Sequence, residues 1–226
     1  MDNSNPTPRK RIDTKELTML ALLAALAYVV MFLSKQIPVN VLGFLNFDLK
    51  DVIICITGFL FGPLPAAGVS LVVSFIEMIT ISSTGPWGLL MNVLSTCAFA
   101  CTAAWFYQRH RTLKGAVIGL VIGVLLMTAV MLLWNYLITP IYMKMPRAAV
   151  AKLLIPTFLP FNLIKAGING TLAMLLYKPI VTALRKARLI PPSTGAPAKN
   201  VVSIALVCLV ILATFILLAL VLAKVI

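Results

Sequence analysis

The chain has 226 residues, 61% of them hydrophobic and only 11% charged. A soluble domain is typically about 25% charged, so a water-facing surface is excluded and the long apolar runs call for lipid as their solvent. The formal net charge is +13, but the basic residues stand in short clusters between apolar runs with no interleaved aromatics, which argues against a nucleic-acid binder and for membrane orientation.

Residues 1–15 form a basic tail with Arg9, Lys10, Arg11 and Lys15. A first helix is predicted over about 16–34; its apolar run has no convincing small-residue cleavage site and reads as a permanent span. Ile37-Pro38-Val39-Asn40 signals a loop. Asn46, Asp48, Lys50 and Asp51 then precede the apolar run Val52 to Phe61. That run is too short to cross about 30 Å of hydrocarbon at 1.5 Å per residue. It must begin as polar helix in a cavity or be partly re-entrant, and such interrupted segments point to transport sites.

Gly62-Pro63-Leu64-Pro65 turns the chain into a third helix ending near Ile81, and Ser82-Ser83-Thr84-Gly85-Pro86 turns it again. A fourth helix is predicted over about 87–107, a fifth over about 115–139 ending at Pro140, and a sixth over about 157–184. Residues 186–200 make a basic, Pro-rich linker, and 201–226 hold a seventh span. The expected architecture is an all-α polytopic transmembrane bundle. Six helices occupy 16–185 and an additional C-terminal helix follows the linker. Counting Lys and Arg by loop places 12 on the side of the N-terminus and 6 on the other, with Lys165 left inside a span. The bias puts the N-terminus in the cytoplasm of a plasma membrane and, after seven spans, the C-terminus outside.

In that orientation the polar residues near the spans gather in the outer half of the bilayer. Asp48 and Asp51 head the second segment, Glu77 lies near the outer end of the third helix, Asn92 in the fourth and Asn135 in the fifth. Asn162, Lys165 and Asn169 stand at i, i+3 and i+7 in the sixth, one helix face. Phe44, Phe47, Trp87, Trp134, Tyr136, Phe158 and Phe161 accompany them. A polar cluster with flat apolar walls suits capture of a planar, hydrogen-bonding solute. Lys165 is the sharpest signal, since a lysine in a span costs at least about 2.5–3.5 kcal/mol on insertion scales. Either a ligand contact or an internal ion pair with Glu77, Asp48 or Asp51 offsets that cost.

Small residues crowd the first helix (Ala21, Ala24, Ala25, Ala27) and the fifth (Gly115, Gly119, Gly123), and both faces would allow close helix approach. Internal packing and docking of another membrane subunit are the two readings. Cys55, Cys97, Cys101 and Cys208 lie in apolar segments and read as small packing residues. His110 is the single histidine, which excludes a His-rich metal site. No G-x-x-x-x-G-K-[ST] phosphate loop and no H-E-x-x-H occur, so the chain is not itself an ATPase and no enzymatic reaction is specified.

Several stretches resemble the substrate-binding S components of energy-coupling-factor vitamin transporters. Leu20 to Ala27 is similar to the family's A-x-x-x-A face, with Ala21 and Ala25 fitting best. Asn46-Phe47-Asp48-Leu49-Lys50-Asp51 followed by Gly58-Phe59-Leu60-Phe61-Gly62-Pro63 looks like its second segment and turn. Asn135-Tyr136, Pro140-Ile141-Tyr142-Met143 and Pro160-Phe161-Asn162-Leu163-Ile164-Lys165 resemble the riboflavin-specific branch. The resemblance covers about residues 16–185. It implies a six-helix subunit that captures riboflavin from outside, docks through Ala21 and Ala25 on a transmembrane coupling subunit with two ATPases, and topples to release the vitamin. Riboflavin would be the transported ligand, with no cofactor. The family's flavin contacts would map to Asn135, Asn162 and Lys165. The seventh span departs from the family, which usually ends after six. An S component for a different small solute, or a membrane enzyme or partner subunit without transport activity, are the other readings.

Overall fold

The computed structural model describes residues 13–37, 39–42, 45–189 and 201–225. Phe44, most of the basic tail and most of the linker lie outside them. The helices are α1 (Thr14–Lys35), α2 (Lys50–Phe61), α3 (Pro63–Thr80), α4 (Gly85–Thr96), α5 (Thr102–Arg109), α6 (Leu113–Leu137), α7 (Thr139–Tyr142), α8 (Arg147–Leu153), α9 (Leu159–Lys186) and α10 (Val201–Leu222). Between α1 and α2 a short antiparallel hairpin pairs β1 (Asn40–Val41) with β2 (Leu45–Asn46), Asn40 opposite Asn46.

Two π-helical segments join pieces of longer rods. Cys97–Cys101 links α4 to α5, and Leu154–Phe158 links α8 to α9. The second holds Pro156, and Pro160 follows it. Neither proline can donate a backbone hydrogen bond, and a widened turn accommodates that loss. Among the described residues, six continuous helices are long and apolar enough to cross a bilayer: Thr14–Lys35, Pro63–Thr80, Gly85–Arg109, Leu113–Leu137, Arg147–Lys186 and Val202–Leu222. With the 12-residue α2 this is the expected all-α bundle.

Burial explains how α2 survives at that length. Val52 to Phe59 is buried on every side, so α2 meets protein all round, the condition under which a short segment is tolerated at membrane depth. The outer helices behave oppositely. Leu22, Leu26, Val29 and Phe32 on α1 are exposed, a surface for lipid or another membrane subunit to cover.

The glycines of α6 face inward. A Cβ on Gly119 would meet the Ala103 carbonyl oxygen at 2.8 Å, and one on Gly123 would meet that of Phe99 at 2.6 Å. Of the two readings for this face, the structure has the internal one. Ala21 and Ala25 are exposed, whereas Ala24 and Ala27 are buried in the core. α10 lies along α9, where the Phe215 ring covers Gly167 closely enough to leave no room for a side chain there.

Candidate functional site

The end of the bundle where α1 and α3 finish and α4 begins holds a cavity of about 280 Å³. Its lining includes Lys35 at the end of α1 and Gln36 after it, Leu45, Asn46 and Asp48 from the hairpin and following loop, Glu77 on α3, Asn92 on α4, Tyr142 at the end of α7, and Phe161 and Lys165 on α9. Elements far apart in the chain converge here because α2 starts below the surface. The loop 47–49 must dip into the bundle to reach it, and it carries Asp48 inward.

A chain of alternating charge runs across the cavity floor. The Lys165 ammonium donates to Asp48 Oδ2 at 2.8 Å. Lys50 donates to Glu77 Oε2 at 2.9 Å and stands 3.7 Å from Asp48 Oδ2. Lys35 donates to Glu77 Oε1, and Asn92 Nδ2 donates to Glu77 Oε2 at 2.9 Å. Lys50 is 1% exposed, Glu77 2%, Asp48 4% and Lys165 8%. Buried charges of this kind persist only when paired. Burial pushes the Asp48 carboxyl up, but the ammoniums of Lys165 and Lys50 outweigh it and hold the group below the usual carboxylate range. Asp48 is therefore a fixed negative charge at the cavity wall.

Of the sequence-predicted residues, the cavity brings together Asp48, Glu77, Asn92 and Lys165. Asn169 lies deeper and braces them: its Nδ2 donates to the backbone carbonyls of Asp48 and Lys165, each at 3.0 Å. Asp51 points elsewhere and accepts from Thr96 Oγ1 at 2.6 Å. Asn162 donates to the Phe158 carbonyl in its own helix at 2.7 Å, directly between the lining residues Phe161 and Lys165 in sequence. Asn135 is outside the lining; it donates to the Met131 carbonyl and accepts from Thr139 Oγ1. Between the two readings of Lys165, an ion pair is present, and its partner is Asp48.

Sequence reasoning passed over Lys35 and Gln36. A lysine in the last turn of a span looks like an interfacial anchor, and nothing local pairs it with Glu77, 42 residues away. The available signal was the excess of acid at one end, since Asp48, Asp51 and Glu77 require cations when buried. An apolar wall completes the site. Phe47 packs on Phe161 with ring centroids 4.8 Å apart, above Val41, Leu45, Val150 and Phe158. Two acceptors in this region, Asp48 Oδ1 and Asn169 Oδ1, are buried without a hydrogen-bond partner among the described residues.

Comparison with known proteins agrees with this architecture. A family model described as "ECF transporter, substrate-specific component" matches residues 15–177. The chain is 30% identical over 178 residues to the riboflavin transporter RibU of Staphylococcus aureus, covering 76% of this chain and 93% of that one. It is 26% identical over 187 residues to the riboflavin transporter FmnP of Bacillus subtilis, covering 77% and 98%. A solved structure described as the S component of a bacterial ECF transporter superposes with a TM-score of 0.63 at 28% identity, covering 75% of this chain and 96% of that one. The family model stops at residue 177, within α9 and short of α10; the resemblance read from the sequence runs to about residue 185. A multi-pass bundle with a polar cavity at one end, matched from α1 into α9 by that family model, belongs to the substrate-specific components of energy-coupling-factor transporters.

Proposed function

We propose that this chain captures riboflavin, or a close flavin, at the outer face of a cell membrane and hands it over within an importer. The carrying observation is the Lys165–Asp48 pair on the wall of the 280 Å³ cavity. The pyrimidine edge of a flavin alternates carbonyl acceptors with one N–H donor. Lys165 is an obligate donor and Asp48, ionised, an obligate acceptor, with Oδ1 still unpartnered. Phe161 and Phe47 supply an apolar face for the ring system. The names of the Staphylococcus aureus and Bacillus subtilis relatives support the same ligand.

In this reading Asp48, Glu77, Asn92, Asn162 and Lys165 bind or frame the ligand, Asn169 positions Asp48, and Asp51 and Asn135 support the surrounding helices. The basic bias places the N-terminus in the cytoplasm and the cavity outside. Residues 16–185 form the capturing unit. Ala21 and Ala25, exposed on α1, form the docking face for a transmembrane coupling subunit that works with two ATPases. The chain itself carries out no reaction.

The test is the absorption spectrum of the purified protein, with mass spectrometry of any extracted ligand and titration with riboflavin. A flavin spectrum and saturable binding are expected. A second reading, an S component for a different small solute, is favoured by one observation: Asn135, expected at the ring, is turned into its own helix. Extraction of a non-flavin vitamin, with no riboflavin binding, would establish that alternative.

A further inference from the structure

A second cavity lies along the outside of the bundle, between α6, α9 and α10, with a volume of about 720 Å³. It is walled by Val117 and Leu125 of α6, Gly170 and Met174 of α9, and Cys208 and Ile211 of α10. From Leu113 to Leu125 its α6 wall is about 18 Å long at 1.5 Å per residue. One leaflet of hydrocarbon is about 15 Å, half of a core about 30 Å thick. The groove therefore spans one leaflet and runs parallel to the lipid chains.

One end of the groove opens into a smaller cavity of about 280 Å³, which shares Leu113, Met174, Ile204 and Cys208 with it and is lined in addition by Arg111 and Lys178. Both basic residues are exposed. No acidic residue lines either cavity; the acids described at this end, Asp13 and Glu16, stand at the start of α1, and Glu77 belongs to the cavity at the opposite end of the bundle. The Tyr107 and Tyr177 hydroxyls, 3.2 Å apart, stand in the same region. Lys15 on α1 donates to the Arg188 carbonyl beyond α9, so further cations collect at this end.

We propose that this groove is a binding site for an anionic phospholipid, with one acyl chain between α6 and α10 and the phosphate held by Arg111 and Lys178. α10 makes the site: it leans on α9 and turns an open helix face into a three-walled groove. The occupant is a lipid of the adjoining leaflet because the long apolar wall matches a single chain and the mouth is lined by two cations and no carboxylate. Basic pockets between transmembrane helices bind anionic headgroups in this way. The inference is independent of which solute the other cavity takes.

The experiment is native mass spectrometry of the full chain in detergent, titrated with dioleoyl-phosphatidylglycerol or dioleoyl-phosphatidylcholine. Preferential retention of the phosphatidylglycerol is expected. Arg111→Gln/Lys178→Gln is expected to weaken it roughly tenfold or more while leaving phosphatidylcholine unchanged. Cys208→Trp, which fills the groove without altering charge, is expected to weaken both. Arg111→Lys/Lys178→Arg keeps both charges and is expected to bind like the parent, so a loss there too would refute charge recognition. Equal retention of the two lipids, binding unaffected by the charge and groove variants, or a dimer that Cys208→Trp disrupts would each overturn the proposal, the last by giving the groove to a second copy of the chain.

Discussion

Lys50 is among the largest side chains fully buried in the protein, and its ammonium is met by Glu77 and Asp48. The same two carboxylates also serve Lys35 and Lys165, so each removal at this site leaves a neighbour partly uncompensated. Removing one partner of a buried pair costs about 3–5 kcal/mol, because the other charge stays desolvated. Lys165→Met is therefore expected to lower the ligand-free melting temperature, toward the small end of that range because Lys50 remains near Asp48. It is also expected to weaken riboflavin binding roughly ten- to hundredfold, since a charge-assisted hydrogen bond is worth about 1.5–3 kcal/mol and 1.4 kcal/mol is tenfold in affinity. Asp48→Asn/Lys165→Met removes the stranded charge, so thermal stability should return while affinity does not. Differential scanning fluorimetry and flavin fluorescence quenching on the same variants check both halves. Affinity restored along with stability would reduce Lys165 to a structural ion pair.

Small residues on two helices invite the same sequence argument and meet different fates. Gly123 lies 2.6 Å, at Cβ distance, from the Phe99 carbonyl oxygen, and backbone cannot yield as a side-chain tip can. Gly123→Leu is expected to destabilise the bundle by about 1–3 kcal/mol through overpacking, with the π-helical segment Cys97–Cys101 and α6 forced apart, measurable as a lower midpoint of thermal aggregation. Ala25 is exposed, so Ala25→Trp should leave melting and riboflavin affinity unchanged. It should block co-purification with the coupling subunit, because close helix approach needs small side chains. Equal loss of binding and association would assign Ala25 to internal packing. The spacing of four residues was legible in both helices; which face turned inward was not, because α1 is apolar on nearly all sides and its periodicity names no core.

At the scale of the whole molecule, α10 is set apart. It is exposed along most of its length, with Ala219 its one buried hydrophobic residue among those described, and it touches chiefly α9. Phe215 over Gly167 and the packing of Ile164, Ile168 and Ala219 with Phe47 and Leu49 place it behind the loop that carries Asp48. With the buried α2 counted as a crossing beside the six long helices, the spans number seven and the two ends of the chain are expected on opposite sides of the membrane. Val225→Cys in a cysteine-free background should react with an impermeant maleimide added to intact cells, and Asn3→Cys only after lysis. Labelling of both under one condition would mean an even number of crossings.

Hydropathy alone fixes the solvent of this protein and the rough bounds of its long helices, because hydrophobic runs of a given length have one environment in which they are stable; the short helices α7 and α8 and the π-helical joints escape it. The sequence also shows that Lys165 needs a partner and that residues 46–51 mark an unusual segment, since charge in an apolar run is a local statement. Which charges meet depends on how the helices pack. Lys165 with Asp48 and Lys35 with Glu77 are separated by 117 and 42 residues, and no periodicity encodes contacts between elements so distant in the chain. The same limit placed Asn135 against its own helix and Asp51 on Thr96. A polar side chain near the end of a span can satisfy itself on the backbone or reach a neighbour, and the choice rests on where the neighbouring helices lie.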